Sequence, residues 1–315
     1  MLRHSSTLAA DSASICPRSV ANALERRFWW RPLERRRAAL ANLPEKFSDI
    51  FDRVQTDILK RVRTQGPSMT DIVVSTSWLA DNLEAVRVVD VRDGWEYDGI
   101  GHVPGAVNVP FDAFRADEHA AEAGDSGGML PGEEAFAELL GDAGISCDDH
   151  VVAYDDHHGV FAARLLVTAE MYGHPRDRLH LLDGDFSAWQ REHETATDAP
   201  SPEPSDYDAR SPEETPLVGA ETVAAAIDDP GTVIVDTREG WEFEEGHIPG
   251  AVRLDWRELV DDETRGLKSR EEMESLLEAR GITREKRILL YCNTARRISH
   301  TYVVLRHLGY PDLAF

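Results

Sequence analysis

Residues 287–309 read RILLYCNTARRISHTYVVLRHLG: an apolar run ending at Cys292, a polar loop, then a stretch opening on Arg296 and Arg297. Ile298, Tyr302, Leu305 and Leu308 share one helical face, and Gly309 ends it. The spacing predicts a six-residue loop and a helix from near Arg297. A thiol between a strand's carboxyl end and a helix's amino end sits where open α/β sheets place ligands. Loop N–H groups converge there into an anion cradle, and the helix terminus adds partial positive charge. With two arginines beside it, such a thiol is expected to ionise below the free-cysteine value of roughly 8.5. The chemistry implied is nucleophilic, with Cys292 attacking and Asn293, Thr294, Ala295, Arg296 and Arg297 holding an anionic substrate. Taken alone, a Cys after an apolar run is more often a buried strand-end residue filling space. The surroundings decide between the two readings.

Those surroundings contain a repeat. Residues 89–108 read VDVRDGWEYDGIGHVPGAVN and residues 235–253 read VDTREGWEFEEGHIPGAVR. Asp90 meets Asp236, Arg92 meets Arg238, Trp95 meets Trp241, Glu96 meets Glu242 and His102 meets His247. A period of about 145 residues is too long for a solenoid, so each copy is a whole domain. Within each copy a short helix precedes an apolar strand (Val86–Val91, then Val233–Asp236), a charged turn, and a Pro-Gly turn opening another short strand. A longer helix follows (Glu133–Leu140, then Arg270–Ala279), with Gly141 and Gly281 as its punctuation. A buried-looking strand (Val151–Tyr154, then Arg287–Tyr291) and a last helix complete the order. Such alternation predicts an α/β fold with a mainly parallel sheet.

The copies also differ. Laying VVAYDDHHGVFAARLL on ILLYCNTARRISHTYV puts Tyr154 on Tyr291 and Asp155 on Cys292. Asp155 cannot act as a sulfur nucleophile and reads as a relic in a degenerate loop. Asp236 and Arg238 follow the strand Val233–Val235. Recurrence of the same types in both copies makes His102 and His247 structural hydrogen-bonding residues, and Trp95 and Trp241 packing residues. His157 and His158 lack companion ligands for a metal site.

Composition bounds the rest. The chain has 315 residues and a net charge of −24, from 34 Lys+Arg and 58 Asp+Glu. Residues 1–68 carry 13 Lys+Arg against 7 Asp+Glu, so the acid is concentrated in the remainder. Such charge excludes nucleic acid as a partner and fits a halophilic source. No apolar run is long enough for a bilayer. Cys16, Cys147 and Cys292 form no disulfide framework, which suits a reducing cytoplasm. The basic segment 1–68 has three readings: a targeting peptide, a basic amphipathic arm, or a leader outside the native protein, with Met69 as the start. Domains are expected at 69–197 and 213–315, joined by a Pro-, Ser- and acid-rich linker at 198–212. The first copy continues to Asp183-Gly184 and Trp189, whereas the second stops at Phe315, which reads as an incomplete carboxyl end.

The repeated Asp-x-Arg, the Gly-His-x-Pro-Gly-Ala segments and the strand–Cys–loop–helix unit resemble the rhodanese family in its tandem form, over residues 72–315. The resemblance implies two rhodanese-like domains, each a mainly parallel sheet flanked by helices, the first inactive and the second carrying a persulfide-forming Cys292. It also implies that the Asp236–Arg238 pair lies close to the active loop, bracing it, with substrate binding by Arg238 as the second possibility. It implies a double displacement from a small anionic sulfur donor to cyanide or a thiol, with no metal or organic cofactor. Thr294 matches neither the basic residue of the thiosulfate type nor the Ser of the mercaptopyruvate type, and Ala295 replaces a frequent Gly. The arginine pair leans towards thiosulfate. Two alternatives stand beside this: a non-catalytic sulfur-carrier or binding module, and a Cys-dependent phosphatase or arsenate reductase. The latter places Arg six residues after its Cys, where this chain has Ile298.

Overall fold

A computed structural model describes Met69 and residues 71–115, 130–212 and 215–315. The basic segment 1–68, with Cys16, lies outside the described residues.

The first copy runs β1 (Val73–Ser75), α1 (Thr76–Asn82), β2 (Arg87–Asp90), α2 (Gly94–Ile100), β3 (Val107–Asn108), α3 (Glu133–Asp142), β4 (Val151–Tyr154), α4 (Val160–Met171), β5 (Leu179–Asp183) and α5 (Asp185–Glu192). The second runs α6 (Ala220–Ala226), β6 (Thr232–Asp236), α7 (Gly240–Glu245), β7 (Val252–Arg253), α8 (Arg270–Glu278), β8 (Arg287–Tyr291), α9 (Arg296–His307) and β9 (Leu313–Ala314). Sheet orders are β1-β5-β4-β2-β3 and β7-β6-β8-β9. Every strand pair within these two sheets is parallel. Unbroken apolar runs such as Val151–Tyr154, buried at all four positions, are what a strand covered on both faces requires.

The two halves close on each other along α4 and α9, which pack together. One apolar cluster takes Leu165 and Leu166 from α4 and Val303 and Val304 from α9. Buried Glu170, near the end of α4, accepts from Tyr302 Oη at 2.7 Å and Arg306 Nη1 at 2.6 Å, both on α9. Among the described residues no helix is long and apolar enough to cross a membrane.

Two expectations change. Gly141 lies inside α3, and the left-handed turn after that helix falls to Gly144 at φ 70°. Trp95 and Trp241 are not packing residues, being 67% and 58% exposed. Each indole N–H instead reaches the carboxylate two residues earlier, Asp93 or Glu239, at the start of its helix. The segment 198–212 is strapped to the first domain. Tyr207 is buried against Phe136 and His174, Ser205 N–H donates to Gly141 O, and Arg210 N–H donates to Tyr172 O.

Candidate active site

Strand β8 delivers Cys292 to the loop, and α9 begins at Arg296, so only four residues, 292–295, separate strand from helix. The turn is tighter than the spacing predicts because Ala295 takes the left-handed conformation, φ 58°, where Gly would be unstrained. Arg296 N–H closes the turn on Thr294 O at 2.8 Å. The first copy uses five residues, 155–159, before α4, and its helix entry is Gly159 at φ 82°. Gapless pairing of the copies therefore holds through Asp155 and Cys292 and slips by one residue afterwards.

The loop is pinned from α7. Glu242 is buried and takes the guanidinium of Arg297 in a two-pronged pair, with Nη2 to Oε1 at 2.9 Å. Asn293 Nδ2 donates to the same Oε1 at 2.9 Å. The Arg297 bonds hold the Glu242 carboxyl below its ordinary range. Sequence reasoning matched Glu242 to Glu96 and gave it no further role. Glu96 only caps its helix, accepting from Asp93 N–H at 3.2 Å, whereas Glu242 caps at Glu239 N–H and also grips the loop. The signal was Arg297 and Asn293 themselves, which the first loop lacks.

Arg238 is paired with Asp236. Its Nε and Nη2 hold Asp236 at 2.9 and 2.7 Å, and Nη2 also donates to Gly246 O at 2.8 Å. Burial alone would raise the Asp236 carboxyl, but bonds from Arg238 and Tyr291 hold it below its usual value. Tyr291 Oη in turn accepts from Ile248 N–H, tying β8 to the Pro-Gly turn. The first copy repeats this with Arg92, Asp90, Tyr154 and Val103. His102 and His247 stack on Tyr97 and Phe243 and bond the carbonyls of those residues.

A cleft of about 800 Å³ lies between the domains, against this loop. Thr294, Arg296, Arg297 and Trp241 line it from the second domain, and His157, Phe161 and Arg191 from the first. Cys292 is half-buried at the base of the loop and is not itself among the lining residues. Arg296 is drawn over the rings of Phe161 and Phe111, 5.0 and 5.5 Å from their centroids, and burial lowers its pKa. Arg257 and Arg265 add further positive groups to the wall. Arg265 also clamps the domains, donating to Asp185 Oδ2 at 2.8 Å and Asp156 O at 2.7 Å, and His158 is held in the same contact. By contrast Cys147 donates to Asp208 O, and burial pushes its thiol up.

Asp155 is no relic. Its carboxylate accepts four backbone N–H bonds, two from its own loop, His157 at 2.7 and Gly159 at 2.8 Å, and two from the first turn of α4, Phe161 at 2.7 and Ala162 at 3.0 Å. The residue is 1% exposed. The loop has formed an anion cradle and filled it with a side chain of its own.

The model for the rhodanese-like domain matches residues 75–192 and again 219–315. A Mycobacterium leprae protein named for thiosulfate sulfurtransferase activity is 30% identical over 265 residues, covering 78% of this chain and 91% of that one. The sulfur carrier protein TtuD of Thermus thermophilus is 30% identical over 271 residues, covering 79% and 92%. The crystal structure of SseA from Escherichia coli, described as a 3-mercaptopyruvate sulfurtransferase with the rhodanese fold, superposes with a TM-score of 0.66 at 24% identity, covering 78% of this chain and 97% of that one.

Proposed function

The chain belongs to the rhodanese-like family, as two such domains in tandem, and from that membership we propose that it is a sulfurtransferase working through a persulfide on Cys292. The Cys292 thiolate attacks the outer sulfur of thiosulfate. A new S–S bond forms, the old one breaks, and sulfite leaves with the electron pair. The persulfide then yields its outer sulfur to cyanide or a thiol, and the thiolate returns. Covalent catalysis divides one transfer into two easier ones. Arg296 and Arg297 orient the donor's sulfonate end and offset the charge on the departing sulfite. With mercaptopyruvate the bond that breaks is C–S: pyruvate leaves as its enolate and takes up the proton of the donor thiol. The observation that carries this reading is the cluster of guanidinium groups walling the cleft beside Cys292, in a chain of net charge −24.

A second reading has support from the resemblance to TtuD: the chain loads sulfur and hands it to a partner without free turnover. The test is intact mass and thiocyanate release on one preparation. Exposure to thiosulfate or mercaptopyruvate is expected to add one sulfur to the Cys292 peptide, and cyanide to remove it as thiocyanate. Cys292→Ser loses both. Sulfur loading without thiocyanate release supports the carrier reading. Turnover in Cys292→Ser equal to wild type ends the persulfide mechanism.

A further inference from the structure

The cleft is larger than thiosulfate or cyanide requires. At about 800 Å³ it stands among cavities that enclose drug-sized ligands, roughly 300–1,000 Å³, whereas those two anions are a handful of atoms each. Its charges are also unevenly matched. Most described arginines of this acidic chain face a carboxylate: Arg92 has Asp90, Arg280 has Glu258 and Arg306 has Glu170. Two of the cleft arginines do the same, Arg297 with Glu242 and Arg265 with Asp185 and Asp156. Arg191, Arg257 and Arg296 do not: among the described residues none of them has a carboxylate within ion-pair distance. Arg191, on α5 of the first domain, donates to a carbonyl, Glu263 O, at 3.1 Å. Arg257, in the short turn after β7, lies over the Trp256 ring at 5.7 Å. The carboxylates of the lining are engaged elsewhere. Glu242 holds Arg297 and Asn293, Asp156 holds Ser187 and Arg265, and Glu239 accepts from the Trp241 indole at 2.9 Å.

A guanidinium without a carboxylate partner, in a chain of net charge −24, is where an anionic ligand meets least competition. Arg296 serves the donor, at the start of the helix that follows Cys292. Arg191 and Arg257 belong to neither that loop nor that helix, and they come from different domains. Trp241, exposed and bordering the same cleft, adds apolar surface. We propose that Arg191 and Arg257, with Trp241, form an acceptor subsite for a thiol that carries anionic groups away from its sulfur, such as a peptide thiol with free carboxylates. This rests on the sulfurtransferase reading and names the acceptor class that reading leaves open. The acceptor thiolate attacks the outer sulfur of the Cys292 persulfide. A new S–S bond forms, the old one breaks, and its electron pair returns to Cys292 as the thiolate. The product is the acceptor's own persulfide anion, and no oxidant or reductant is consumed. Cyanide has no second group for these arginines to hold.

The test compares glutathione with its diethyl ester, the same thiol with and without carboxylates, as acceptors for the sulfur-loaded full chain. Wild type is expected to favour glutathione in kcat/KM by about tenfold, the effect of one charge-assisted contact, with the difference in KM. The ratio is read within each protein, so a general loss of activity cancels. Arg191 and Arg257 are exposed, and their variants are expected to fold. In Arg191→Gln/Arg257→Gln the ratio falls towards unity, and in Arg191→Lys/Arg257→Lys most of it survives. Coenzyme A against pantetheine poses the same question with phosphates; a preference found in that pair alone, and lost in the Gln variant, supports the subsite with phosphate as its anion. Equal rates within both pairs in wild type overturn the proposal, and so does a preference that the Gln variant keeps. Calorimetry with S-methylglutathione and its diester, which cannot accept sulfur, reads the same ratio in unloaded protein. Absence of a persulfide on Cys292 therefore refutes the sulfurtransferase reading alone, and the binding ratio still decides the subsite.

Discussion

Removing the carboxylate of Asp155 tests the filled cradle most directly. Four backbone N–H groups converge on this one side chain at 2.7 to 3.0 Å, in a place almost closed to water. A hydrogen bond to a charged group contributes about 1.5–3 kcal/mol. Four bonds to a single carboxylate do not add in full, since ionising and burying that group is itself costly. Breaking a buried, fully satisfied ionic arrangement by deleting one partner costs about 3–5 kcal/mol. Asp155→Ala is therefore expected to lose about that much stability in urea unfolding. For a unit of this size it should melt roughly 6–20 °C lower. Asp155→Asn keeps one oxygen and so two of the four bonds, but aims its NH₂ at the other two donors; it should fall between wild type and Ala. Below the melting range both variants should still release thiocyanate, because Cys292 is untouched. The reasoning is refuted if Asp155→Ala unfolds within about 0.5 kcal/mol of wild type, the range of an ordinary surface change.

Two further outcomes follow from the ion pairs. Glu242→Gln unpins Arg297 and Asn293 from α7, so thiocyanate release should fall about tenfold, as for loss of a positioning contact. The pair's stabilisation should be full above the ordinary Glu value of about 4.3 and lost as pH falls through the lower folded value, so the stability gap between wild type and Glu242→Gln closes in acid. Asp185 behaves in the opposite sense: burial raises its carboxyl to about 6 in spite of Arg265. The folded state then holds a proton that the unfolded state has released, and stability declines as pH rises from about 3.9 through about 6. Asp185→Asn should remove that slope, which paired unfolding curves at several pH values would show.

The fold was legible because its signals are local and duplicated. Apolar runs at Val151–Tyr154 and Arg287–Tyr291 could only be central strands, and the repeat showed that the chain builds the same unit twice. The bracing of Asp236 by Arg238 was equally legible, because the first copy keeps the pair without the nucleophile. Illegible were contacts whose partners lie far apart in sequence. Glu242 grips a loop over fifty residues away, and Arg265 crosses to Asp185 eighty residues back. The exposed Trp241 misled for a related reason. Repetition of a type in both copies suggests structure, but Trp95 and Trp241 repeat a helix-start contact on the surface, and only Trp241 borders the cleft.

The two loops amount to one experiment performed within a single chain. Each follows a central strand, turns through a left-handed residue and enters a helix that packs on its counterpart. In one the strand ends on a carboxylate, in the other on a thiol. A carboxylate at that position meets the converging N–H groups with a side chain of the loop itself, so that loop needs no other anion. A thiol carries its charge only when ionised, and a persulfide carries it one bond farther out. A loop of that kind calls for cations beside it, and Arg296 and Arg297 open the helix that follows Cys292. An acid where the second copy has a thiol thus tightens the first copy's loop by those four bonds. The first domain thereby borders the cleft with a loop held by its own side chain.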